Sequence, residues 1–171
     1  YPFDVFESPI SGGSLTVFLS RHRHPPSLRL DEATDRDCHL DTNSHSRWAS
    51  FADSAIKHAA ALKGVLDEYS RSGKVVGYGA SARSSTMLNF AGITNAEVGV
   101  VIDQNKLKQG RLTAGTDIPI VSPEVGLGEI GSSDAVLLLA WNFEEEIVGQ
   151  LRSGGFCGDI IVPLPRHVRV L

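Results

Sequence analysis

Two textures of hydrophobic and polar positions divide the chain. Up to about residue 45 the apolar positions are scattered, interrupted by Ser11-Gly12-Gly13-Ser14, by Arg21-His22-Arg23-His24-Pro25-Pro26 and by an acid-rich stretch from Asp31 to Asp41. One strand is predicted there, Ser14 to Leu19, with Leu15, Val17 and Leu19 alternating against Thr16 and Phe18. The rest of this segment reads as a wrapping arm or the end of a preceding domain. From Ser46 the pattern becomes regular. Trp48, Phe51, Ala52, Ala55, Ile56, Ala59, Leu62, Val65 and Leu66 recur at helical spacing, with Asp53, Lys57, Lys63 and Asp67 mostly between them. Ser44 or Ser46 suits the N-cap and Gly73 the stop. The spacing predicts one amphipathic helix of about 25 residues, about 40 Å long. Such a helix either flanks a whole sheet or joins two domains.

A β/α alternation follows. Val75-Val76-Gly77-Tyr78 is a short apolar strand, and Ser84 to Ala91 a helix with Met87, Leu88 and Phe90 as apolar contacts. Val98 to Ile102 is a strand ending at Asp103. Ile118-Pro119-Ile120-Val121 is a brief strand, and Ser122-Pro123-Glu124 opens a helix with a cap and a proline at its first position. Ala135 to Ala140 is a buried strand, Phe143 to Arg152 a helix and Ile160-Ile161-Val162 the last strand. Strands apolar on both faces and separated by helices imply a parallel sheet covered on both sides. The expected fold is α/β and Rossmann-like: a mostly parallel sheet of about five strands with helices on both faces, preceded by an N-terminal arm and the long helix. The expected division is an arm over residues 1–45 and an α/β domain over 46–171.

The richest stretch is Gly77-Tyr78-Gly79-Ala80-Ser81-Ala82, which leaves the first of these strands and opens a helix. It fits the G-x-G-x-x-G/A pattern in the context that pattern requires. Gly79 admits a ligand to the backbone, and the helix N-terminus offers N–H groups and partial positive charge to a phosphate. Ser81, Arg83, Ser84 and Ser85 add hydroxyls and a guanidinium. Asp103 closes the second strand, 24 residues after Gly79, where an acid binding ribose hydroxyls is expected. The same residues also serve plain ends: small side chains allow close helix–strand packing, and Asp103 reads as a helix or turn cap. Lys106, Lys108 and Arg111 surround Gly110 in a basic loop suited to phosphates or to solvation alone. Trp141-Asn142 ends a buried strand, where α/β sheets place ligand contacts, though Trp141 reads equally as core.

Other patterns fail. Ser72-Gly73-Lys74-Val75 resembles the end of a P-loop, but Glu68 stands where the first glycine belongs and Val75 where Ser or Thr belongs. Gly79-Ala80-Ser81-Ala82-Arg83 lacks the second glycine of a nucleophile elbow. His22, His24, Cys38 and His39 are poorly spaced for zinc. Glu144-Glu145-Glu146 sits in a helical first turn, where negative charge is favourable in its own right. No catalytic residue and no metal ligand is assigned.

Composition narrows the classes. The 171 residues are 42% apolar and 21% charged, as expected of a globular chain with a full core. Sixteen basic and twenty acidic side chains give a net charge of -4, which argues against a nucleic-acid partner. Two cysteines are too few for a disulfide framework and favour a reducing, cytoplasmic setting. The longest apolar run, Ala135 to Trp141, falls short of the roughly 20 residues that span a bilayer, so no membrane partner is expected. No secretory signal opens the chain; because it starts at Tyr1, it is read as a processed product or a piece of something larger.

Taken in order, a series of motifs adds a resemblance. It runs through Ser11-Gly12-Gly13-Ser14-Leu15, Gly77-Tyr78-Gly79-Ala80-Ser81-Ala82-Arg83, Asp103 and Lys108-Gln109-Gly110-Arg111. It continues through Ala114-Gly115-Thr116-Asp117-Ile118-Pro119-Ile120, Leu137-Leu138-Leu139-Ala140-Trp141-Asn142-Phe143 and Val162-Pro163-Leu164-Pro165. Over nearly the whole chain this resembles the C-terminal domain of the S-adenosylmethionine-dependent sugar C-methyltransferases, which add methyl branches to nucleotide-linked deoxysugars. The resemblance implies a three-part enzyme: a zinc-binding N-terminal part, a middle domain holding S-adenosylmethionine, and this part, which helps hold a nucleotide diphosphate sugar of the thymidine type. Methyl donor, zinc and catalytic groups are then expected outside this chain, and the preceding methyltransferase domain is its partner. The implied binding residues are Gly77, Tyr78, Gly79, Ala80, Ser81, Arg83, Ser84, Asp103, Lys108, Arg111, Trp141 and Asn142. The chain departs from the family at Ser11 and Thr16, where His and Arg are usual, at Arg83, where Lys is usual, and at Ala114, where Pro is common. Two other readings remain open at this point: an NAD(P)-type dinucleotide-binding oxidoreductase or redox-sensing module, and a non-catalytic scaffold.

Overall fold

The computed structural model describes residues 1–9, 13–128, 130–131, 134–165 and 167–171. Ser11 and Gly12 of the first motif lie outside them. The chain forms two compact units, Tyr1–Ser54 and Ala55–Leu171.

In the first unit, β1 (Pro2–Ser8) pairs antiparallel with β2 (Ser14–Leu19), Val5 opposite Val17. The segment expected as a wrapping arm is therefore a hairpin followed by a helix. That helix, α1 (Leu28–Leu40), buries none of its residues, and the acidic stretch beginning at Asp31 is its exposed surface. Its ends account for it. Ser27 Oγ accepts the Leu30 N–H at 3.2 Å, and Asp41 turns left-handed with its N–H on the carbonyls of Asp37 and Cys38. Arg36 pairs with Glu7 at 2.7 Å, an exposed contact of small energetic weight.

The long helix α2 (His45–Ser72) has 28 residues, and the division between the units falls within it. Only Leu62 and Leu66 are fully buried on it. These two lie in the second unit, on one face of a six-stranded sheet.

The sheet comprises β3 (Val75–Tyr78), β4 (Val100–Ile102), β5 (Ile120–Val121), β6 (Ala135–Leu138), β7 (Asp159–Val162) and β8 (Arg169–Val170). Its order is β5-β4-β3-β6-β7-β8. The sheet has six strands where about five were expected, and it is mixed: β5, β4, β3, β6 and β7 pair parallel, while β8 runs antiparallel to β7 at the edge. Two residues carry no hydrophobic period, so β8 has no signature in the sequence. It is held by the reciprocal main-chain bonds of Ile160 and Leu171 and by Arg169 on Glu144 at 2.6 Å.

Alternation along each strand sends side chains to opposite faces. Val75, Val101, Ala135, Leu137 and Ile161 point to the face covered by Leu62 and Leu66 and by Leu88 of α3 (Ala82–Ala91). Val76, Tyr78, Ile102, Val136, Leu138, Ile160 and Val162 point to the other, covered by Ile147 and Leu151 of α5 (Glu144–Ser153). The short helix α4 (Pro123–Gly128) lies close to β4: a side chain at Gly126 would meet Ile102. Among the described residues no helix is long and apolar enough to cross a membrane.

Candidate functional site

The strand order dictates where a crevice opens. After β3 the chain moves to β4 and β5 on one side, then returns to β6 on the other, so the order reverses between β3 and β6. Connections leaving opposite ways part at that point, and open α/β sheets bind ligands there, beyond the carboxyl ends of the strands. The glycine motif sits there. Tyr78, the last residue of β3, is in register with Ile102 of β4 and Leu138 of β6. Gly79 and Asp103 therefore leave the sheet side by side.

The two glycines do different work. Gly77 lies within β3, where an added Cβ would stand 2.8 Å from Leu139 Cδ1 and 3.0 Å from Val101 Cγ2; it is a packing residue, not a crevice contact. Gly79 has φ +100°, a conformation L side chains rarely adopt, and its N–H reaches the Ile102 carbonyl at 2.7 Å. The turn continues into α3 through a capping box. Ser81 Oγ accepts the Ser84 N–H at 3.1 Å, while Ser84 Oγ accepts the Ser81 N–H at 2.7 Å. The Ser84 hydroxyl also donates to the Ser81 carbonyl at 2.6 Å and is buried, so it is a cap rather than a ligand group. Among the described residues, the N–H groups at the helix start without a protein acceptor are those of Ala82 and Arg83. Arg83 is exposed, with its guanidinium carbon 5.8 Å from the Trp141 ring centroid. This cation–π contact joins two expected site residues from the ends of β3 and β6. Asn142 is half-buried in the turn Trp141–Phe143 that leads into α5.

The acid at the end of β4 is engaged by the protein itself. Asp103 Oδ2 accepts the Ala80 N–H at 2.9 Å and Lys108 Nζ at 3.0 Å, and Oδ1 accepts the Asn105 N–H at 2.8 Å. Lys108 Nζ also donates to the Ala80 carbonyl at 2.6 Å, and Gln109 Nε2 to the Asp103 carbonyl at 2.9 Å. Lys108 thus reaches the glycine turn as part of its framework. Lys106 and Arg111 of the same basic loop are exposed.

A cleft of about 290 Å³ opens beside the turn, lined by Tyr78, Gly79, Asp103, Gln104, Phe143, Glu146 and Gln150 among others. Sequence reasoning found the first three. Gln104, Phe143, Glu146 and Gln150 were not among the expected binding residues; Glu146 and Gln150 are one helical turn apart, and Gln150 Nε2 donates to Glu146 Oε1 at 3.2 Å. The lining holds two carboxylates, Asp103 and Glu146, and no lysine or arginine. An anion is favoured on the Arg83 side of the turn and disfavoured inside the cleft.

Behind the turn, residues 113–118 brace α3. Asn89 Nδ2 donates to the Ala114 carbonyl at 2.8 Å, and Gly115 lies so close to Asn89 that a Cβ would stand 2.3 Å from its Oδ1. The Ala114-Gly115-Thr116 stretch supports the helix that presents the turn and is not itself part of the crevice lining. Cys38 and Cys157 are free and exposed, and among the described residues no group of three or more His, Cys, Asp or Glu is placed to hold a metal ion.

Comparison with known proteins identifies the frame. Residues 9–165 match the family described as C-methyltransferase C-terminal domain. The chain is 33% identical over 171 residues to the C-methyltransferase NovU of Streptomyces niveus, covering 95% of this chain and 39% of that relative. It thus spans well under half the length of the enzyme it matches. The motif series, the crevice at the strand-order reversal and this match agree: the chain belongs to the C-methyltransferase C-terminal domain family.

Proposed function

We propose that this domain holds the nucleotide diphosphate of a nucleotide-linked deoxysugar, of the thymidine type, for a larger S-adenosylmethionine-dependent C-methyltransferase. The sheet serves as a Rossmann-like platform, with β8 as an added antiparallel edge. S-adenosylmethionine, any zinc and the acid–base groups of methyl transfer belong to the rest of that larger protein, with which this domain associates in the cytoplasm. Among the described residues the free, exposed thiols and the carboxylates do not gather into a set that fits a zinc ion.

The observation that carries this reading is the glycine turn at the strand-order reversal. Gly79 lines the cleft, Ala82 and Arg83 turn donors outward at the start of a ten-residue helix, and Arg83 sits over Trp141. Those groups suit a diphosphate. The cleft beside them, with amides, a phenol and uncompensated Glu146, suits an uncharged hydroxylated group.

Calorimetric titration of the chain with thymidine diphosphate tests the reading. Saturable binding is expected, weakened about tenfold or more by Arg83→Glu and unchanged by Lys57→Ala on the exposed surface of α2. No binding, or equal effects of the two substitutions, would sink it. Titration with S-adenosylmethionine should give no saturable heat from this chain alone.

A further inference from the structure

We infer that Asp103 and Lys108 are positioning residues forming a latch that fixes the glycine turn and closes the crevice to dinucleotides. An acid at the end of the second strand takes a dinucleotide's ribose through both carboxylate oxygens across the glycine turn. Here one of those oxygens is already full, because Oδ2 accepts both the Ala80 N–H and Lys108 Nζ. A carboxylate offers about four acceptor positions, and three of Asp103's are filled, by the N–H groups of Ala80 and Asn105 and by Lys108 Nζ. Its side chain is 12% exposed. The Lys108 ammonium closes a ring by donating to the carbonyl of the same Ala80 whose N–H Asp103 accepts. Both main-chain polar groups of Ala80, at the centre of the turn, are thereby fixed.

The latch is fixed from behind as well. Gln109 Nε2 holds the Asp103 carbonyl, and Asn105 Oδ1 accepts the Leu107 N–H at 3.0 Å. A ribose diol donating to both carboxylate oxygens needs one position on each, and with Oδ2 full it would displace the Ala80 N–H or Lys108 Nζ. Each bond the diol gains on Oδ2 is thus offset by one the turn loses. The device is independent of which mononucleotide the other side of the turn takes. It sets this domain apart from dinucleotide-binding oxidoreductases that share its glycine spacing.

The test uses the 171-residue chain, with backbone amide exchange read at Ala80, Ser81 and Ala82 and with Val76 and Leu137 as core references. Lys108→Met removes the ammonium but keeps the stem on a residue that is 40% exposed; Asp103→Asn removes the ion pair but keeps one acceptor. Exchange at Ala80 should rise about tenfold or more in both variants while the core references stay unchanged. Unchanged Ala80 exchange in folded Lys108→Met overturns the latch, even should Asp103→Asn fail to fold. The wild-type chain should show no saturable binding of reduced nicotinamide adenine dinucleotide, and saturable binding overturns the exclusion. Neither readout uses thymidine diphosphate, so failure of the nucleotide-sugar reading would leave this result standing.

Discussion

Gly79 and Ala140 meet so closely that a Cβ on the glycine would stand 2.6 Å from the alanine Cβ. The contact joins the chain leaving β3 to the chain leaving β6, and the Tyr78 carbonyl accepts the N–H groups of both Leu139 and Ala140 at 3.0 Å. The floor of the crevice is thus backbone against backbone, with no room for a side chain. Gly79→Ala must either displace β6 or move the turn, and it holds alanine at φ +100°. Backbone strain and overpacking together should cost about 2–4 kcal/mol in urea denaturation. Gly99→Ala, where a Cβ meets nothing within 4 Å, should change stability by no more than about 1 kcal/mol.

The apolar stripe of α2 should divide energetically along its length. Leu66 is fully buried beneath the sheet, whereas Trp48 and Phe51 are exposed and meet one another edge-on at 6.0 Å between ring centroids. Leu66→Ala should cost about 2–5 kcal/mol. Trp48→Ser and Phe51→Ser should each stay within about 0.5 kcal/mol of the parent chain. Parallel thermal melts of the three variants check this; a large loss from Phe51→Ser would mean that the exposed half of the helix has a packing partner in solution.

This division shows how far the sequence could be read. Helical spacing from Trp48 to Leu66 marked α2 as one helix, but the same period is written where the face is covered and where it is bare. Strands β3, β4, β6 and β7 were legible because burial on both faces leaves uninterrupted apolar runs. β1 and α1 were not: β1 opens on a proline without clean alternation, and α1 rests on its caps at Ser27 and Asp41 with no buried stripe. In the site, the glycine turn was legible because its steric demand falls on residues adjacent in sequence. The Asp103 latch was not, since it depends on the register of β3 against β4, and Asp103 could be placed only at a strand end. The lining by Phe143, Glu146 and Gln150 depends on where α5 packs, which no local pattern encodes.

Lys63 and Glu97 should give stability a recognisable pH signature. Lys63 Nζ donates to Glu97 Oε1 at 2.7 Å, and the Thr94 N–H donates to Oε2 at 2.7 Å. Burial pushes the Glu97 carboxyl up, but the bonds from Lys63 and Thr94 outweigh it and hold the group below its ordinary 4.5. The bond to Glu97 outweighs desolvation to hold Lys63 above its ordinary 10.5. The lowered carboxyl contributes stability above pH 4.5, lost as pH falls through its folded-state value. The raised ammonium contributes stability below pH 10.5, lost as pH rises through its own. Because Lys63 is more than a third exposed, Glu97→Gln should cost only about 1 kcal/mol or less near neutrality. That difference should be flat across neutral pH and shrink on the acid side; urea denaturation of both chains as a function of pH measures it, and a difference growing toward acid would refute the assignment.

Thr113 and Thr116 form the buried polar core of the turn that braces α3. Their hydroxyl oxygens are 2.6 Å apart, and Thr113 Oγ1 also accepts the Ile118 N–H at 2.9 Å. Both residues are buried, so each lost partner leaves a polar group without water. Thr113→Val keeps the shape but orphans two groups, the Thr116 hydroxyl and the Ile118 amide; Thr116→Val orphans only the Thr113 hydroxyl. Thr113→Val should therefore cost about 2–4 kcal/mol and Thr116→Val about half as much. The double variant should fall below the sum, since it removes the Thr116 hydroxyl that the first substitution strands. Denaturation of the four chains as a double-mutant cycle measures the coupling. Additive costs would mean that the two hydroxyls do not depend on one another and that α3 is braced through Asn89 and Ala114 alone.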